Sequence, residues 1–339
     1  MRADVKPSFA DGLGLAPPAP VLPRPAASAG GPAAPSLAAH ARRTIADFWL
    51  RSLFFVSERA TWFARGMTGF VRWGAFRSSE KIRRATLANA ARILGPGSTP
   101  AEREALAKGV LENFYRFCVD VGRSAKLSRD QLLAEISGVD GTEHYLAART
   151  AGAGLVVVTA HMGSFEVGLA ELTTRPGSVH VIFRRDAQGG FERQRSSLRR
   201  RLGVCEAPVD DGWTMWMRLR DALAAGDTVV FQGDRVMPGQ RGRSVPFLHG
   251  HVELPTGPVK LSRLSGAAIL PVFTVREPGG KIRVCIEPPI VPTEHPDSSN
   301  GGGEDPMLLA VGAAVEKFVR AYPEQWLMFE PAFIEDRQR

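Results

Sequence analysis

A chain of 339 residues with 44% hydrophobic side chains has enough apolar material for one large domain with an appended helical region. Its formal charge of +8, carried mostly by Arg, favours acidic partners: nucleic acid, an anionic membrane or an acidic carrier. Three cysteines (Cys118, Cys205 and Cys285) stand far apart without a CxxC pair, which excludes a disulfide framework and a cysteine metal site and fits a reducing compartment.

Residues 1–36 are rich in Pro, Ala and Gly and are expected to form a disordered tail. They lack the charged start, apolar block and cleavage site of a secretory signal. In residues 37–78, Ile45, Phe48, Trp49, Phe55, Val56, Trp62, Phe63, Met67, Phe70 and Trp73 recur at helical spacing. Arg51, Glu58, Arg59, Arg65 and Arg72 interrupt them, so the run falls short of the ~20 apolar residues of a spanning helix. The profile is that of an amphipathic helix lying in a membrane interface, of a helix packed on the domain's own core, or of both at once. Residues 79–335 form the remaining domain. It opens with helices over 81–93, over 100–121 with Thr99 as cap and Pro100 at the first position, over 127–136 and over 143–149.

From Leu155 the pattern alternates. Strands are expected at 155–160, 179–184, 228–233, 267–275 and 282–287. Helices are expected at 165–173, 189–202, 214–225, 256–265 and 307–321, and a loop over 288–306. Such alternation predicts an α/β fold with a mixed, mostly parallel central sheet flanked by helices, preceded by an N-terminal helical region.

The chemistry gathers at the ends of these strands. Leu155-Val-Val-Val-Thr-Ala-His161-Met-Gly163-Ser164-Phe-Glu166 reads as a buried strand, a tight bend permitted by Gly163, and a helix that Ser164 can cap. His161 then stands at the carboxyl end of a strand, where open α/β sheets hold their active sites. Across the turn Glu166 can fold back onto the ring, fix its tautomer and leave the other nitrogen as a base. The competing reading is a capped helix whose His is satisfied by local hydrogen bonds. A second strand ends at Arg184 and Arg185, whose guanidinium forks suit phosphate, and the helix behind them carries Arg193, Arg195 and Arg199 to Arg201, the last three read as a basic face meeting an anionic surface in general. A third strand ends at Asp234-Arg235, where Asp234 can pair with Arg185 or hold donors in place, or can serve as a turn residue. Thr256 and Gly257 open a helix whose backbone N–H groups can receive an anion. His249 and His251 invite a metal site with His161 and Glu166, but their spacing alone does not bring them together, and no metal is expected. There is no Walker A loop, no dinucleotide fingerprint and no Gly-x-Ser-x-Gly elbow.

The stretch from His161 to Glu166 resembles the His, four residues, acid signature of glycerolipid-type acyltransferases, and is most similar to the bacterial lipid A late acyltransferase branch. The resemblance runs over roughly residues 80–330. It includes Ser244-Val-Pro-Phe247 through Thr256-Gly257, the strand at Pro271, and Pro323-Glu-Gln-Trp326. It departs at Leu327-Met-Phe-Glu330-Pro331, where that branch usually continues with an aromatic residue and a basic pair. The resemblance implies transfer of a fatty acyl group from an acyl thioester to a hydroxyl or amine of a membrane lipid or glycolipid. His161 and Glu166 would be the catalytic dyad. Arg184 or Arg185 would bind phosphate, Asp234 and Arg235 would hold charge, and backbone N–H groups near Gly163, Thr256 and Gly257 would stabilise the oxyanion. It implies no cofactor, a donor on acyl carrier protein or coenzyme A, and a peripheral or monotopic enzyme at the cytoplasmic face of the inner membrane. The readings from other classes are a non-catalytic basic protein binding membrane surface or nucleic acid, and a metal-dependent hydrolase.

Overall fold

The structure, a computed structural model, describes residues 49–124, 126–150, 154–184, 189–237, 240–293 and 305–337. The expected tail 1–36 and the start of the aromatic segment, up to residue 48, lie outside the described residues.

The chain enters in helix over 49–59 (α1), followed by α2 (Thr61–Gly66), α3 (Thr68–Ser78), α4 (Glu80–Leu94), α5 (Pro100–Ser124) and α6 (Arg129–Leu133). Two expected boundaries, the stop at Gly95 and the start at Thr99, are in place. Ser79 accepts from the Ile82 N–H at the head of α4, and Gly95 stops that helix at a φ of 84°. Thr99 and Glu102 bond each other's backbone N–H reciprocally ahead of α5. The aromatic segment divides its faces. Phe54 and Ala64 are buried, and Phe54 packs with Phe117, Val121 and Leu327 where Gly122 of α5 lets α1 approach. Trp49, Phe55, Trp62, Phe63, Phe70 and Trp73 stay exposed. Among the described residues no helix is long and apolar enough to cross a membrane.

The remaining elements are β1 (Ile136–Asp140), α7 (Thr142–Arg149), β2 (Leu155–Thr159), α8 (Phe165–Leu172), β3 (Val179–Phe183), α9 (Gly189–Arg201), β4 (Cys205–Pro208), α10 (Gly212–Ala224), β5 (Thr228–Gln232), β6 (Gly242–Phe247), β7 (Gly250–Pro255), α11 (Gly257–Ser265), β8 (Ile269–Arg276), β9 (Ile282–Ile286) and α12 (Pro306–Ala321). Seven strands form one sheet in the order β1-β9-β8-β2-β5-β3-β4. All pairs are parallel except β8 with β9. The mixed, mostly parallel α/β architecture is therefore the one expected. Both faces are covered, which is why Leu155 to Val158 is apolar throughout rather than alternating. Val156 and Val158 join the larger core, and Leu155 and Val157 join the core on the opposite face.

Four features differ from the sequence reading, one of them the edge strand β4, which no expected strand covered. The helix expected over 127–136 stops at Leu133, because Ile136 begins an edge strand whose bonding partner is β9, far along the chain. The stretch from Ser244 to Pro255 is an antiparallel hairpin, closed by a two-residue loop in which Leu248 takes a φ of 49°. Arg199 is not a surface cation: it is fully buried, bonded to Glu192 and Glu206 and seated over the Phe183 ring.

Candidate active site

Strands β2 and β5 lie parallel with Thr159 opposite Gln232. Each chain runs two residues further, and this equal overrun sets His161 against Asp234. Gly233 donates its N–H to the Thr159 carbonyl at 2.8 Å and holds the two ends together. Asp234 Oδ1 lies 2.8 Å from His161 Nδ1. Its Oδ2 accepts from the His161 backbone N–H at 3.1 Å and from the Trp326 indole N–H at 2.9 Å. The Asp234 side chain is wholly buried, while the imidazole keeps 17% of its surface at the cleft. Leu327 N–H donates to the His161 carbonyl at 2.8 Å and Met162 bridges to Trp326, so the closing segment of the chain is tied to the same turn.

These contacts set the charges. Burial works against an ionised Asp234, but the neighbouring ring, Arg235 and the indole donor outweigh it and hold the carboxyl well below the usual carboxylate range. Burial lowers His161 from its ordinary 6.5; Asp234 pulls it up, while Arg235 and Arg195 push it down again. The ring is therefore neutral near pH 7. With an ionised acceptor at Nδ1, its proton sits on Nδ1, leaving the Nε2 lone pair for a substrate. A base whose pKa is depressed becomes active as pH rises through that pKa. The acid limb of kcat/KM is accordingly expected to have its midpoint below 6.5, with a flat profile through neutrality. A pH–rate profile with its midpoint above 6.5 would contradict this.

The ring's acidic partner is thus Asp234, and the expected bond to Glu166 is corrected. Glu166 is buried on the first turn of α8 and pairs with the Nε of Arg195 from α9. A five-residue separation across a turn does not decide which way the carboxylate points, and the guanidinium fork of α9 supplies a partner of opposite charge. Ser164 precedes α8 but makes no capping bond; its hydroxyl is buried without a hydrogen-bond partner among the described residues. Gly163 takes the bend at a φ of 59°, with its Cα packed on the Thr274 carbonyl, and does not line the cleft.

The cleft itself has a volume of about 640 Å³. His161, Arg184, Arg195, Arg235, Gly257 and Glu330 are among its lining residues. Gly257 sits where the Trp216 indole would leave no room for a Cβ. Thr256, beside it at the head of α11, makes no side-chain cap. Arg185 lies outside the described residues. A narrow apolar cavity of about 60 Å³ runs between α8 and the sheet, past Val157, Leu169, Leu172 and Val230, with Glu166 also on its wall. It shares Ile182, Arg195 and Gln232 with the cleft. The two histidines read as possible metal partners do not converge on His161: His249 packs on Gly95, and His251 bonds Glu335 at 2.9 Å. Among the described residues no group of three or more His, Cys, Asp or Glu could hold a metal ion. Sequence reasoning missed Trp326 and Arg195 as site residues. The signal for Trp326 was present in Pro323-Glu-Gln-Trp326, and Gln325 of that stretch clamps both backbone groups of Arg276.

A neutral imidazole oriented by a buried carboxylate faces a cleft lined by arginines and sharing wall residues with an apolar cavity, an arrangement that can take a proton from a bound substrate. The chain matches the bacterial lipid A biosynthesis acyltransferases over residues 40–334 and belongs to that family. It is similar to the phosphatidylinositol mannoside acyltransferase of Mycobacterium tuberculosis strain H37Rv, at 25% identity over 301 residues, covering 87% of this chain and 85% of the relative. The protein of the same name from Mycolicibacterium smegmatis is 24% identical over 264 residues, covering 76% of this chain and 80% of the relative. The protein is an acyltransferase of lipid biosynthesis, which removes the non-catalytic and metal-hydrolase readings.

Proposed function

We propose that the protein moves a fatty acyl group from an acyl thioester directly to a hydroxyl of a membrane glycolipid, with His161 as general base and Asp234 as its orienting acid. The observation that carries this is the 2.8 Å bond from the His161 ring to a carboxylate with no solvent contact. His161 Nε2 takes the proton of the acceptor hydroxyl as its oxygen bonds to the thioester carbonyl carbon. The tetrahedral oxyanion collapses, the carbon–sulfur bond breaks, and the departing sulfur takes the proton back from the imidazolium. No acyl-enzyme forms. Gly257 lines the cleft at the head of α11, and its backbone N–H is the candidate oxyanion donor, a group worth about 3 kcal/mol in such sites. Arg184 and Arg235 receive phosphate of donor or acceptor, and the apolar side of the cleft, with Phe183, Phe231 and Phe329, receives the acyl chain.

Two features favour a sugar hydroxyl as acceptor. The mycobacterial relatives are named for a mannosylated phosphatidylinositol. In addition, Glu330, in the stretch that departs from the lipid A branch, is among the residues lining the cleft. The donor is carried by acyl carrier protein or coenzyme A, no cofactor takes part, and the enzyme works peripherally at the cytoplasmic face of the inner membrane. The test is mass spectrometry of a glycolipid extract incubated with purified protein and either acyl thioester. A new acylated species is expected with the wild type. A lipid profile unchanged with both donors would overturn the reading.

A further inference from the structure

A second open groove, of about 430 Å³, lies between α1 and α9 and is lined by Arg51, Phe54, Phe55, Glu58, Arg193 and Gln194. It shares a wall with the catalytic cleft. Glu192 and Arg195 of α9 line the cleft, and Arg193 and Gln194 line the groove. Its charge is unbalanced. Glu58 is already paired, with Arg59 at 3.4 Å and Lys126 at 3.1 Å. Arg51 and Arg193 are exposed, and neither pairs with a carboxylate among the described residues. Two open guanidinium groups at a common groove suit phosphate oxygens.

The surroundings indicate where that phosphate comes from. Glu58 is the one acidic residue between positions 49 and 78, against Arg51, Arg59, Arg65, Arg72 and Arg77. In the same stretch Trp49, Phe55, Trp62, Phe63, Phe70 and Trp73 are exposed; Trp62 is 79% exposed and Trp49 69%. An acidic carrier protein would meet the arginines but would leave these exposed rings facing water. A membrane surface satisfies both, because indole and phenyl rings settle at the headgroup level while Arg meets phosphate.

We propose that the groove between α1 and α9 binds the phosphate of an anionic phospholipid headgroup and so holds the membrane beside the cleft. The proposal rests on the reading that the acceptor is a membrane lipid. Its test uses the full chain in co-sedimentation with vesicles of phosphatidylcholine alone and of phosphatidylcholine mixed with phosphatidylglycerol. The wild type is expected to prefer the anionic vesicles. Arg51→Gln with Arg193→Gln is expected to weaken that binding roughly tenfold or more. Acyl transfer to detergent-dispersed acceptor should be unchanged. Arg218→Gln with Arg320→Gln removes the same charge elsewhere and should leave binding near the wild-type value. Equal losses in the two double variants, no loss in either, or lost binding to immobilised acyl carrier protein with vesicle binding intact would each overturn the proposal. Failure of the wild type to transfer any acyl group would instead remove the substrate reading and leave the vesicle result standing.

Discussion

His161→Ala is expected to reduce turnover by three orders of magnitude or more. General-base catalysis supplies roughly 10²–10⁴-fold, and in direct transfer no second nucleophile shares the load. The buried Asp234 would lose one of three donors and keep the His161 backbone N–H and the Trp326 indole. The stability loss should therefore be modest, about 1–3 kcal/mol. Turnover assays beside thermal melts check both parts: a folded, inactive variant is expected. A folded variant with wild-type turnover would place the base elsewhere.

Asp234→Asn is expected to lower kcat by about 10³–10⁴-fold, which converts to roughly 4–5.5 kcal/mol of lost transition-state stabilisation. The volume is unchanged, and the amide oxygen can still accept from the indole and the backbone. What changes is the ring. An amide NH₂ turned toward Nδ1 needs an acceptor there, so the proton moves to Nε2, the nitrogen that faces the cleft. The base is then lost without any displacement of the imidazole. Steady-state kinetics and a melting curve near that of the wild type would together identify a tautomer effect rather than unfolding.

How much of this was legible in the sequence depends on how far apart the partners lie. The strand before His161, the strand before Asp234 and the helix after His161 were readable because they are local: apolar runs, a glycine bend, a helix start. Both residues of the dyad stood out for the same reason. Their pairing did not, because it follows from the register of β2 on β5, and Glu166 offered a nearer acid. An apolar strand that ends two residues before a titratable group, found twice, was the available signal. Trp326 was visible as part of a motif, but its bond to Asp234 exists only once the chain's closing segment crosses the site. The hairpin of β6 and β7 turns at Leu248-His249, which carries no Gly, Asn or Pro to announce it. Arg199 sat in a run of arginines, and only the fold shows that one of them is interior.

The most direct test of the account is the turnover of Asp234→Asn and Glu166→Gln measured side by side. With the imidazole oriented by Asp234, Asp234→Asn should be nearly inactive at close to wild-type stability. Glu166→Gln breaks the buried pair with Arg195, so it should chiefly lose stability, about 3–5 kcal/mol, while the folded fraction keeps most of its turnover and the same acid limb. The reverse pattern, an active Asp234→Asn and a stable but inactive Glu166→Gln, would contradict it.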